Sequence, residues 1–366
     1  MVRETANYDL GGRNTFRMKV SCGLFVEYDT PADLAAIDFA SLPQPVIHIG
    51  GGSNLLFTGD FPGTVLHSNI KYYNLVADNG DEVLVEVGAG VVFDDFCAWA
   101  ADKELWGAEN LSGIPGEVGA AAVQNIGAYG AEVKDIISQV KCFDRETGRE
   151  VTFAGALCGY GYRDSMFKNA PAKGRYIVTA VLLQLSRSAG PNLSYAGLRD
   201  ALDGAVPESP AQVRDVVLRV RGGKLPDPAE IGSAGSFFKN PVVPASVFDR
   251  VATLQAGASF VETNSTPLTG KSPLSSSPDL QRGGRQVPHY VLQDGTVKIP
   301  AAWLIDQCGL KGAQEGGAAV YERQPLVIIN RSGNASPADI IALEQRIIRT
   351  VRDRFGITLS PEVEHI

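Results

Sequence analysis

The chain has 366 residues, 44% of them hydrophobic, and a formal net charge of −8 at pH 7. This length exceeds the usual size of one hydrophobic core, so two or three domains are expected, with room to bury a large cofactor. The acidic balance argues against a broad nucleic-acid-binding surface, which needs a basic face to displace condensed counterions.

The cysteines and the N-terminal sequence indicate the compartment. The five cysteines are odd in number, widely scattered and without a C-x-x-C pair, which argues against a disulfide framework and a structural zinc site. The first residues, MVRETANYDLGGRN, are polar where a signal peptide carries an apolar block. No apolar run approaches the ~18 residues of a membrane span. We therefore predict a soluble cytoplasmic protein with reduced thiols and no membrane partner.

Two strands and a helix are predicted in the first half of the chain. EVLVEVGAG at 82–90 and RYIVTAVLLQLS at 175–186 are rich in Val, Leu and Ile between turn residues, as buried strands are. Between them, VFDDFCAWAADKELWG at 92–107 predicts a helix with an apolar stripe and with Gly107 as its stop.

The last third predicts a surface excursion and a long helix. Residues 264–286 are rich in Ser, Pro and Gly without periodicity, and we expect them to leave the last domain as a surface segment. Ser336 and Pro337 precede apolar residues at helical spacing, and Gly356 follows them. This pattern predicts an amphipathic core helix with an N-cap hydroxyl and a C-terminal glycine.

Two loops of small residues are candidates for phosphate binding. HIGGGSNLLF at 48–57 lacks the third glycine of a dinucleotide-binding G-x-G-x-x-G, because Leu55 stands there. The GKS at 270–272 lacks the leading glycine of a P-loop, because Ser265 stands there. LSGIPGEVGAAAVQNIGAYG at 111–130 holds five glycines and four alanines. In both loops, the small residues would let backbone amides approach a ligand closely. They would equally allow a tight turn or close packing of the loop on a sheet, so both interpretations stay open.

Eight ordered segments carry a resemblance to a known family. They are NTFRM at 14–18, GGGSNLLF at 50–57, SGIPGEVGAAAVQNIGAYG at 112–130, YGYRDSMFK at 160–168, KLPDP at 224–228, GSAGSFFKNPVV at 232–243, AAWLIDQCGLKG at 301–312 and LSPEVEHI at 359–366. In this order and over nearly the whole chain, they resemble the UDP-N-acetylenolpyruvoylglucosamine reductases (MurB), flavoenzymes of peptidoglycan synthesis. YGYRDSMFK resembles the type I version, in which a tyrosine-bearing loop covers the substrate.

The resemblance implies an α+β fold. Its FAD-binding unit would have two subdomains of the PCMH or vanillyl-alcohol-oxidase type, and a third α+β domain would bind the substrate. The expected boundaries are 1–70 and 71–225 for the two FAD-binding subdomains, 226–355 for the substrate-binding domain, and 356–366 for a C-terminal segment that returns to the active site. We expect a monomer.

The resemblance also implies the ligands. FAD would be bound without a covalent bond, NADPH would reduce it, and UDP-N-acetylglucosamine enolpyruvate would accept hydride from flavin N5 and become UDP-N-acetylmuramate. The residues expected to contact FAD are Gly50, Gly51, Gly52, Ser53, Asn54, Pro115, Gly116, Gly119, Ala120, Asn125 and Gly127. Glu117 departs from the small or neutral residue of relatives, and its carboxylate would repel the FAD phosphates unless it turned outward.

Three residues match the family's catalytic positions. Arg163 would hold the substrate carboxylate, because a guanidinium stays charged and grips a carboxylate in two places. Glu362 would act opposite it, with a pKa raised by burial beside an anionic substrate. Ser236 would donate the proton to the enolate carbon by the family's pattern. Without the resemblance, plainer interpretations apply. Arg163 would form a surface ion pair with Asp164, Glu362 would be a solvated carboxylate near the end of the chain, and Ser236 would be a turn residue.

Seven further residues match positions that contact the nucleotide, the diphosphate or the sugar in relatives. They are Tyr162, Tyr195, Arg221, Lys224, Asn240, Lys311 and Gln324. Taken singly, each lysine is expected to be a solvated surface residue.

Two other classes of function compete with the reductase. A non-catalytic flavin-binding or nucleotide-sugar-binding protein would keep the fold without turnover. A serine or metal-dependent hydrolase has little support, because there are only four histidines and neither H-E-x-x-H nor G-x-S-x-G occurs. We therefore expect no metal.

Overall fold

The computed structural model describes residues 1–256, without the side chain of Ala256, and residues 287–366. The predicted surface excursion at 264–286 lies outside the described residues. Three sheets of four or five strands organise the described chain, and each is built from a separate stretch of the sequence; three smaller sheets of two or three strands accompany them. The helices and strands are numbered below in chain order.

The first sheet has four strands in the order β1-β2-β5-β3. β1 is antiparallel to β2, whereas β5 is parallel to both β2 and β3. This parallel pairing sets Ile49, the last residue of β3, opposite His67 in β5. The elements of this part are β1 (Arg3–Asp9), β2 (Ser21–Tyr28), α1 (Pro31–Ala35), β3 (Val46–Ile49), β4 (Leu55–Leu56) and β5 (Phe61–Ser68).

The second sheet has five antiparallel strands in the order β11-β10-β12-β7-β6. Its central strand β12 is buried on both faces, which fits its unbroken apolar run. The elements of this part are β6 (Tyr73–Asp78), β7 (Glu82–Gly88), α2 (Phe93–Asp102), α3 (Val118–Gln124), β8 (Gly127–Ala128), β9 (Ala131–Glu132), β10 (Ile137–Asp144), β11 (Arg149–Ala154), β12 (Tyr176–Ser186), α4 (Ala196–Leu202) and α5 (Pro210–Lys224).

The third sheet has four antiparallel strands in the order β13-β19-β18-β17, and the long helix α8 packs on it. The elements of this part are β13 (Gly232–Ser236), β14 (Val242–Val243), α6 (Ala245–Ala256), β15 (Tyr290–Val291), β16 (Val297–Lys298), α7 (Ala301–Gln307), β17 (Gln314–Glu315), β18 (Ala318–Val320), β19 (Val327–Asn330), α8 (Pro337–Phe355) and β20 (Glu364–His365).

The predicted strands and the predicted long helix are confirmed. β7 and β12 occupy the two predicted stretches. α8 begins after Ser336, whose hydroxyl accepts a hydrogen bond from the amide of Asp339, while the Asp339 carboxylate accepts one from the Ser336 amide. This reciprocal capping box satisfies backbone donors at the start of the helix. Gly356 ends it in the left-handed region, at φ +69°.

The predicted end of the second helix was wrong. α2 buries the predicted stripe but ends at Asp102, five residues before Gly107. The chain leaves the helix at Glu104, which takes a left-handed conformation (φ +56°). A glycine usually fills that position because it has no side chain to oppose the backbone, so a glutamate there gives no signal in the sequence.

One hydrophobic core joins the first and third parts of the chain. Side chains from the first sheet, such as Phe25 and Val65, pack in the same cluster as Phe237, Trp303 and Ile340 from the last third. The second sheet has its own core, which includes Val85 and Val181. Residues 1–70 and the C-terminal part are therefore held together by shared burial, and the predicted domain boundaries stay a prediction.

Candidate active site

A cavity of about 520 Å³ lies where the three sheets meet. This volume falls within the range of small-molecule sites in proteins. Its wall includes most of the residues that the sequence suggested, from all three parts of the chain. These are Gly50, Gly51, Gly52, Ser53, Asn54, Pro115, Gly116, Gly119, Ala120, Gly127, Arg163, Tyr195, Arg221, Lys224, Ser236, Gln324 and Glu362.

The glycine loop, residues 50–54, connects β3 to β4 and lies against the loop at 115–116. The Ser53 hydroxyl donates to the carbonyl oxygen of Pro115 over 2.9 Å. Gly52 takes φ +64°, and a Cβ there would lie 2.0 Å from the Arg13 carbonyl oxygen. Only glycine suits this position, because a side chain would meet backbone that has no room to move. The two small-residue loops thus pack on each other and also line the cavity.

The glycine loop has the donors that a diphosphate needs. Within the described part of the chain, the amides of residues 51–54 donate no hydrogen bond to other protein atoms. Consecutive free amides form a concave site that binds phosphate oxygens. The same cavity is also lined by apolar side chains such as Ile114, Ile126 and Val178. A flavin dinucleotide, which combines a diphosphate with a flat ring, fits this arrangement.

Arg163 and Glu362 form an ion pair in the cavity wall. Nε of Arg163 lies 2.7 Å from Oε1 of Glu362, and both side chains are largely buried. Nη2 of Arg163 donates to the Gly127 carbonyl oxygen over 2.7 Å. The Arg163 backbone is left-handed, with φ +54°. The Arg163 guanidinium therefore links Gly127 to Glu362 of the C-terminal segment.

The protonation of Glu362 is set by competing effects. Burial raises the pKa of this carboxyl above its ordinary value, whereas the positive charges of Arg163, Lys168 and Lys239 act in the opposite direction. Burial dominates because it disfavours the charged form of the carboxyl. The site thus holds a carboxyl that keeps its proton to higher pH than an exposed glutamate does.

The residue that follows Ser236 is hydrogen-bonded to the C-terminal segment. The Glu362 amide donates to the Phe237 carbonyl oxygen over 2.8 Å, and the Lys239 amide donates to the Ser360 carbonyl oxygen over 3.0 Å. Ser236 ends β13, and both Ser236 and Glu362 line the cavity. The serine and the glutamate are thereby positioned by the same short stretch of backbone contacts.

Asn54 links the glycine loop to this stretch. Its side-chain amide donates to the Glu362 carbonyl oxygen over 3.0 Å, and its own carbonyl oxygen accepts from the Glu364 amide over 3.0 Å. The parallel pair β4 and β20 continues these contacts. Three residues of the C-terminal segment, Glu362, Glu364 and Ile366, line the cavity.

A second wall of the cavity carries aromatic and cationic groups. The rings of Tyr129 and Tyr195 meet edge to face, with centroids 5.3 Å apart. Burial raises the pKa of Tyr129 to about 12, and burial lowers the pKa of Arg221. Lys224 and Gln324 line the same cavity. These groups offer both positive charge and hydrogen-bond donors to an anionic ligand.

Four predicted contact residues are not part of the cavity wall. The Asn125 side chain instead joins loops, because it donates to the Gly161 carbonyl oxygen over 2.7 Å. Asn240 accepts from the Ala301 amide at the start of α7 over 2.9 Å. Tyr162 faces the Lys298 ammonium, 4.2 Å from the ring centroid, and Lys311 is exposed. The contacts of these four residues with FAD or substrate stay predictions.

Other charged residues of the wall were not singled out from the sequence. Lys168 lines the cavity, and its ammonium donates to the Arg163 carbonyl oxygen over 3.3 Å. Burial lowers its pKa. Arg145 and Lys173 also line the cavity. Lys168 is the last residue of the matched segment YGYRDSMFK, so the segment itself was the signal that could have found it.

Glu117, whose carboxylate was predicted to repel the FAD phosphates unless it turned outward, is paired inside the protein. Its Oε1 lies 2.9 Å from Nε2 of the buried His67, whose Nδ1 lies 3.0 Å from Oε1 of Glu27. The carboxylate is thus directed into the protein and paired, although Glu117 also contributes to the cavity wall.

Among residues 1–256 and 287–366, no group of three or more His, Cys, Asp or Glu could hold a metal ion. In the same part of the chain, no helix has the length and apolar character to cross a membrane. The five cysteines are unpaired.

Known protein families match both halves of the chain. The family described as "FAD binding domain" matches residues 24–154, and the "UDP-N-acetylenolpyruvoylglucosamine reductase, C-terminal domain" matches residues 227–366. These matches and the fold define an FAD-dependent oxidoreductase with the α+β architecture predicted from the sequence. The chain belongs to the UDP-N-acetylenolpyruvoylglucosamine reductase (MurB) family.

Individual relatives support the assignment over the full length. A UDP-N-acetylenolpyruvoylglucosamine reductase of Bacteroides fragilis is 43% identical over 360 residues, which covers 98% of this chain and 99% of the relative. The Chromobacterium violaceum reductase is 43% identical over 363 residues, with 98% and 97% covered. The crystal structure of the Thermus caldophilus reductase (MurB) superposes with a TM-score of 0.64 at 23% identity, covering 100% of this chain and 98% of that one. The last comparison supports the fold.

Proposed function

We propose that the protein catalyses the NADPH-dependent reduction of UDP-N-acetylglucosamine enolpyruvate to UDP-N-acetylmuramate, as a type I enzyme of peptidoglycan synthesis in the cytoplasm. The two relatives named above are called by the name of this reductase, and their similarity to this chain extends over nearly their full length. The observation that carries the proposal is the buried pair of Arg163 and Glu362, which shares a cavity with Ser236.

FAD, when bound, would take hydride from NADPH and give it to the enolpyruvyl double bond. The glycine loop, Pro115, Gly116, Gly119 and Ala120 would hold the cofactor, with the free amides of 51–54 toward its diphosphate. Negative charge then develops on the substrate beside its carboxylate, and the protein groups must stabilise it.

Arg163 is suited to hold the substrate carboxylate. Its guanidinium stays charged and is fixed by the Gly127 carbonyl oxygen, so its position costs no rearrangement during the reaction. An anionic substrate beside Arg163 would also favour the protonated form of Glu362, because it offsets the positive charge that favours the carboxylate. Glu362 would then donate a hydrogen bond to the enolate oxygen.

Ser236 would deliver the proton to the substrate carbon. A hydroxyl is a weak acid, and it suits this role only if it is fixed near a basic carbon. The backbone contacts between residues 237–239 and 360–362 provide such fixation. Arg221 and Lys224 would bind the diphosphate of the UDP-sugar, since both line the same cavity.

An anaerobic titration of the purified flavoprotein tests this function. We expect NADPH to bleach the flavin absorbance, and we expect one equivalent of UDP-N-acetylglucosamine enolpyruvate to restore it. A protein whose reduced flavin is not reoxidised by this substrate would be a flavin-binding or nucleotide-sugar-binding protein without turnover. A protein that takes up no FAD would contradict the proposal at its first step.

A further inference from the structure

A chain of four charged side chains lies behind the glycine loop, with His67 buried and Arg13 and Glu27 half-buried. Nη2 of Arg13 lies 2.7 Å from Oε1 of Glu27, and this same oxygen lies 3.0 Å from Nδ1 of His67. Nε2 of His67 lies 2.9 Å from Oε1 of Glu117. The His67 side chain is 2% exposed and that of Glu117 is 11% exposed. None of these four residues takes part in the proposed chemistry.

Each ring nitrogen of His67 faces a carboxylate oxygen. An ionised carboxylate only accepts hydrogen bonds, so a His67 ring with a proton on both nitrogens is the form that matches two ionised carboxylates. In that form, and together with Arg13, the four side chains sum to a net charge of zero. A balanced set of this kind avoids the cost of leaving one charge buried alone.

This chain touches the glycine loop at both ends. A Cβ on Gly50 would lie 3.3 Å from Oε2 of Glu117, and a Cβ on Gly52 would lie 2.0 Å from the Arg13 carbonyl oxygen. The parallel pairing of β3 with β5 places His67 opposite Ile49, one residue before the loop. The Phe25 ring stacks near His67, and the Arg13 guanidinium lies 5.1 Å from its centroid.

Glu117 would oppose cofactor binding if it were not neutralised. It lines the cavity beside the free amides of residues 51–54, and a carboxylate near a diphosphate repels it. Glu117 occupies the N-cap position of α3 without capping the helix through its side chain. The carboxylate therefore has no helix-capping role that would account for its place, and its described hydrogen-bond partner is His67.

We propose that protonated His67, supported by Glu27 and Arg13, neutralises Glu117 and so allows the glycine loop to bind the diphosphate of FAD. His67 is thus a positioning residue for the cofactor, and it acts through Glu117. The inference rests on the proposed placement of the FAD diphosphate at this loop.

The affinity for FAD tests the inference, measured by flavin fluorescence when FAD is titrated into protein freed of its cofactor. The His67→Gln variant keeps a hydrogen-bonding side chain but removes the charge, and we expect its dissociation constant for FAD to rise about tenfold or more. Glu117→Gln should bind FAD within about threefold of the unchanged protein, because no charge remains to be neutralised. The double variant His67→Gln/Glu117→Gln should also return to within about threefold.

The double variant separates an electrostatic role from a merely structural one. If His67→Gln and the double variant bind FAD equally weakly, or if Glu117→Gln alone weakens binding as much as His67→Gln does, the inference is wrong. If His67→Gln does not fold, Arg13→Gln carries the test. We expect it to weaken FAD binding about threefold and the added Glu117→Gln to restore it, and an effect that Glu117→Gln does not reverse contradicts the inference.

The same titration keeps this inference separate from the proposed function. Suppose that the unchanged protein binds FAD and is reoxidised by the enolpyruvyl substrate, but His67→Gln binds FAD equally well. The proposed reductase activity then stands, and the role of His67 does not. Unchanged protein that binds no FAD removes both.

Discussion

The amide of Glu362 donates a hydrogen bond to the carbonyl oxygen of Phe237, 2.8 Å away. Phe237 directly follows Ser236, so one backbone contact sets the position of the proposed proton donor relative to the proposed acid. The side chains of Ser236 and Glu362 both line the cavity. The relative placement of the two catalytic candidates therefore depends on the backbone of β13 and the C-terminal segment, which substitution of either side chain leaves in place.

Ser236→Ala should separate the two half-reactions. Reduction of the flavin by NADPH should stay within about twofold, whereas reoxidation by the enolpyruvyl substrate should slow by about 10² to 10⁴. Stopped-flow absorbance of the flavin measures both steps. Ser233→Ala is the matched control, since Ser233 lies in the same strand and does not line the cavity. Equal losses in both half-reactions would contradict the role of Ser236 as proton donor.

Replacement of Arg163 by lysine should damage the same half-reaction. A lysine keeps the positive charge but loses the planar group that faces Glu362 and the Gly127 carbonyl oxygen together. We expect reoxidation to slow by about 10² to 10³, the usual cost of losing one preorganised donor to a developing negative charge. Rapid-reaction kinetics with saturating substrate give this rate. A change confined to the Michaelis constant would instead indicate that Arg163 only binds the ground state.

Glu362→Gln should change how stability depends on pH. The pKa of Glu362 is raised in the folded protein, so its contribution to stability is fully present below the pKa of the unfolded chain and is lost as pH rises through the folded pKa. The glutamine variant lacks this titration. The difference in melting temperature, wild type minus variant, should therefore fall as pH rises from about 4 to 8, measured on both proteins without substrate. A constant difference over this range would show that the carboxyl is not perturbed.

His365 should stabilise the C-terminal segment at low pH. Its Nε2 lies 2.8 Å from Oε2 of the buried Glu344, and this contact raises the pKa of His365. The stabilisation is fully present below the pKa of the unfolded histidine and is lost as pH rises through the folded pKa. His365→Gln should lower the free energy of unfolding by roughly 1 kcal/mol at pH 6 and by less at pH 9.

Urea unfolding at the two pH values measures the effect, and His289→Gln is the control. His289 bonds to the Val287 carbonyl oxygen, which is not an ionisable partner. Similar losses for His365→Gln at pH 6 and pH 9 would rule out an ion pair as the source of the stabilisation.

Gly52→Ala should remove FAD. An added Cβ would lie 2.0 Å from the Arg13 carbonyl oxygen, and φ is +64° at this position. The loop must shift to accept alanine, which should cost roughly 2 kcal/mol of stability and disturb the free amides of residues 51–54. Gly12→Ala is the control, because nothing lies within 4 Å of its added Cβ. The absorbance ratio of flavin to protein measures bound FAD, and a normal ratio in Gly52→Ala would contradict this account.

The sequence predicted the regular elements better than it predicted the site. The buried runs in β7 and β12 and the capped helix α8 have strong local signals, because their patterns lie within one element. The end of α2 had no such signal, since Glu104 takes a backbone conformation that usually belongs to glycine. Local patterns thus specify where an element lies but not every residue at which it ends.

The contacts that build the site are distant in sequence. Nothing near Arg163 indicates that its partner is Glu362, and the resemblance alone suggested that the two act together. His67 and Glu117 were missed as a pair because their contact depends on the parallel pairing of β3 with β5 and on the packing of two loops. Such pairs can be identified only in the folded structure. The glycine loop could be predicted from the sequence because the backbone conformation at Gly52 requires glycine, and a run of glycines is easy to recognise.

The pairing of β20 with β4 makes the cavity depend on two segments that lie far apart in the sequence. Residues 55–56 are synthesised early, yet their strand partner at 364–365 follows some three hundred residues later. During translation, a nascent chain that still lacks this partner has the glycine loop but neither Glu362 nor the backbone that positions it. Capacity for chemistry should therefore arise only once residues 362–365 can join the fold, and shorter products that stop before them should be catalytically silent even if they already capture flavin.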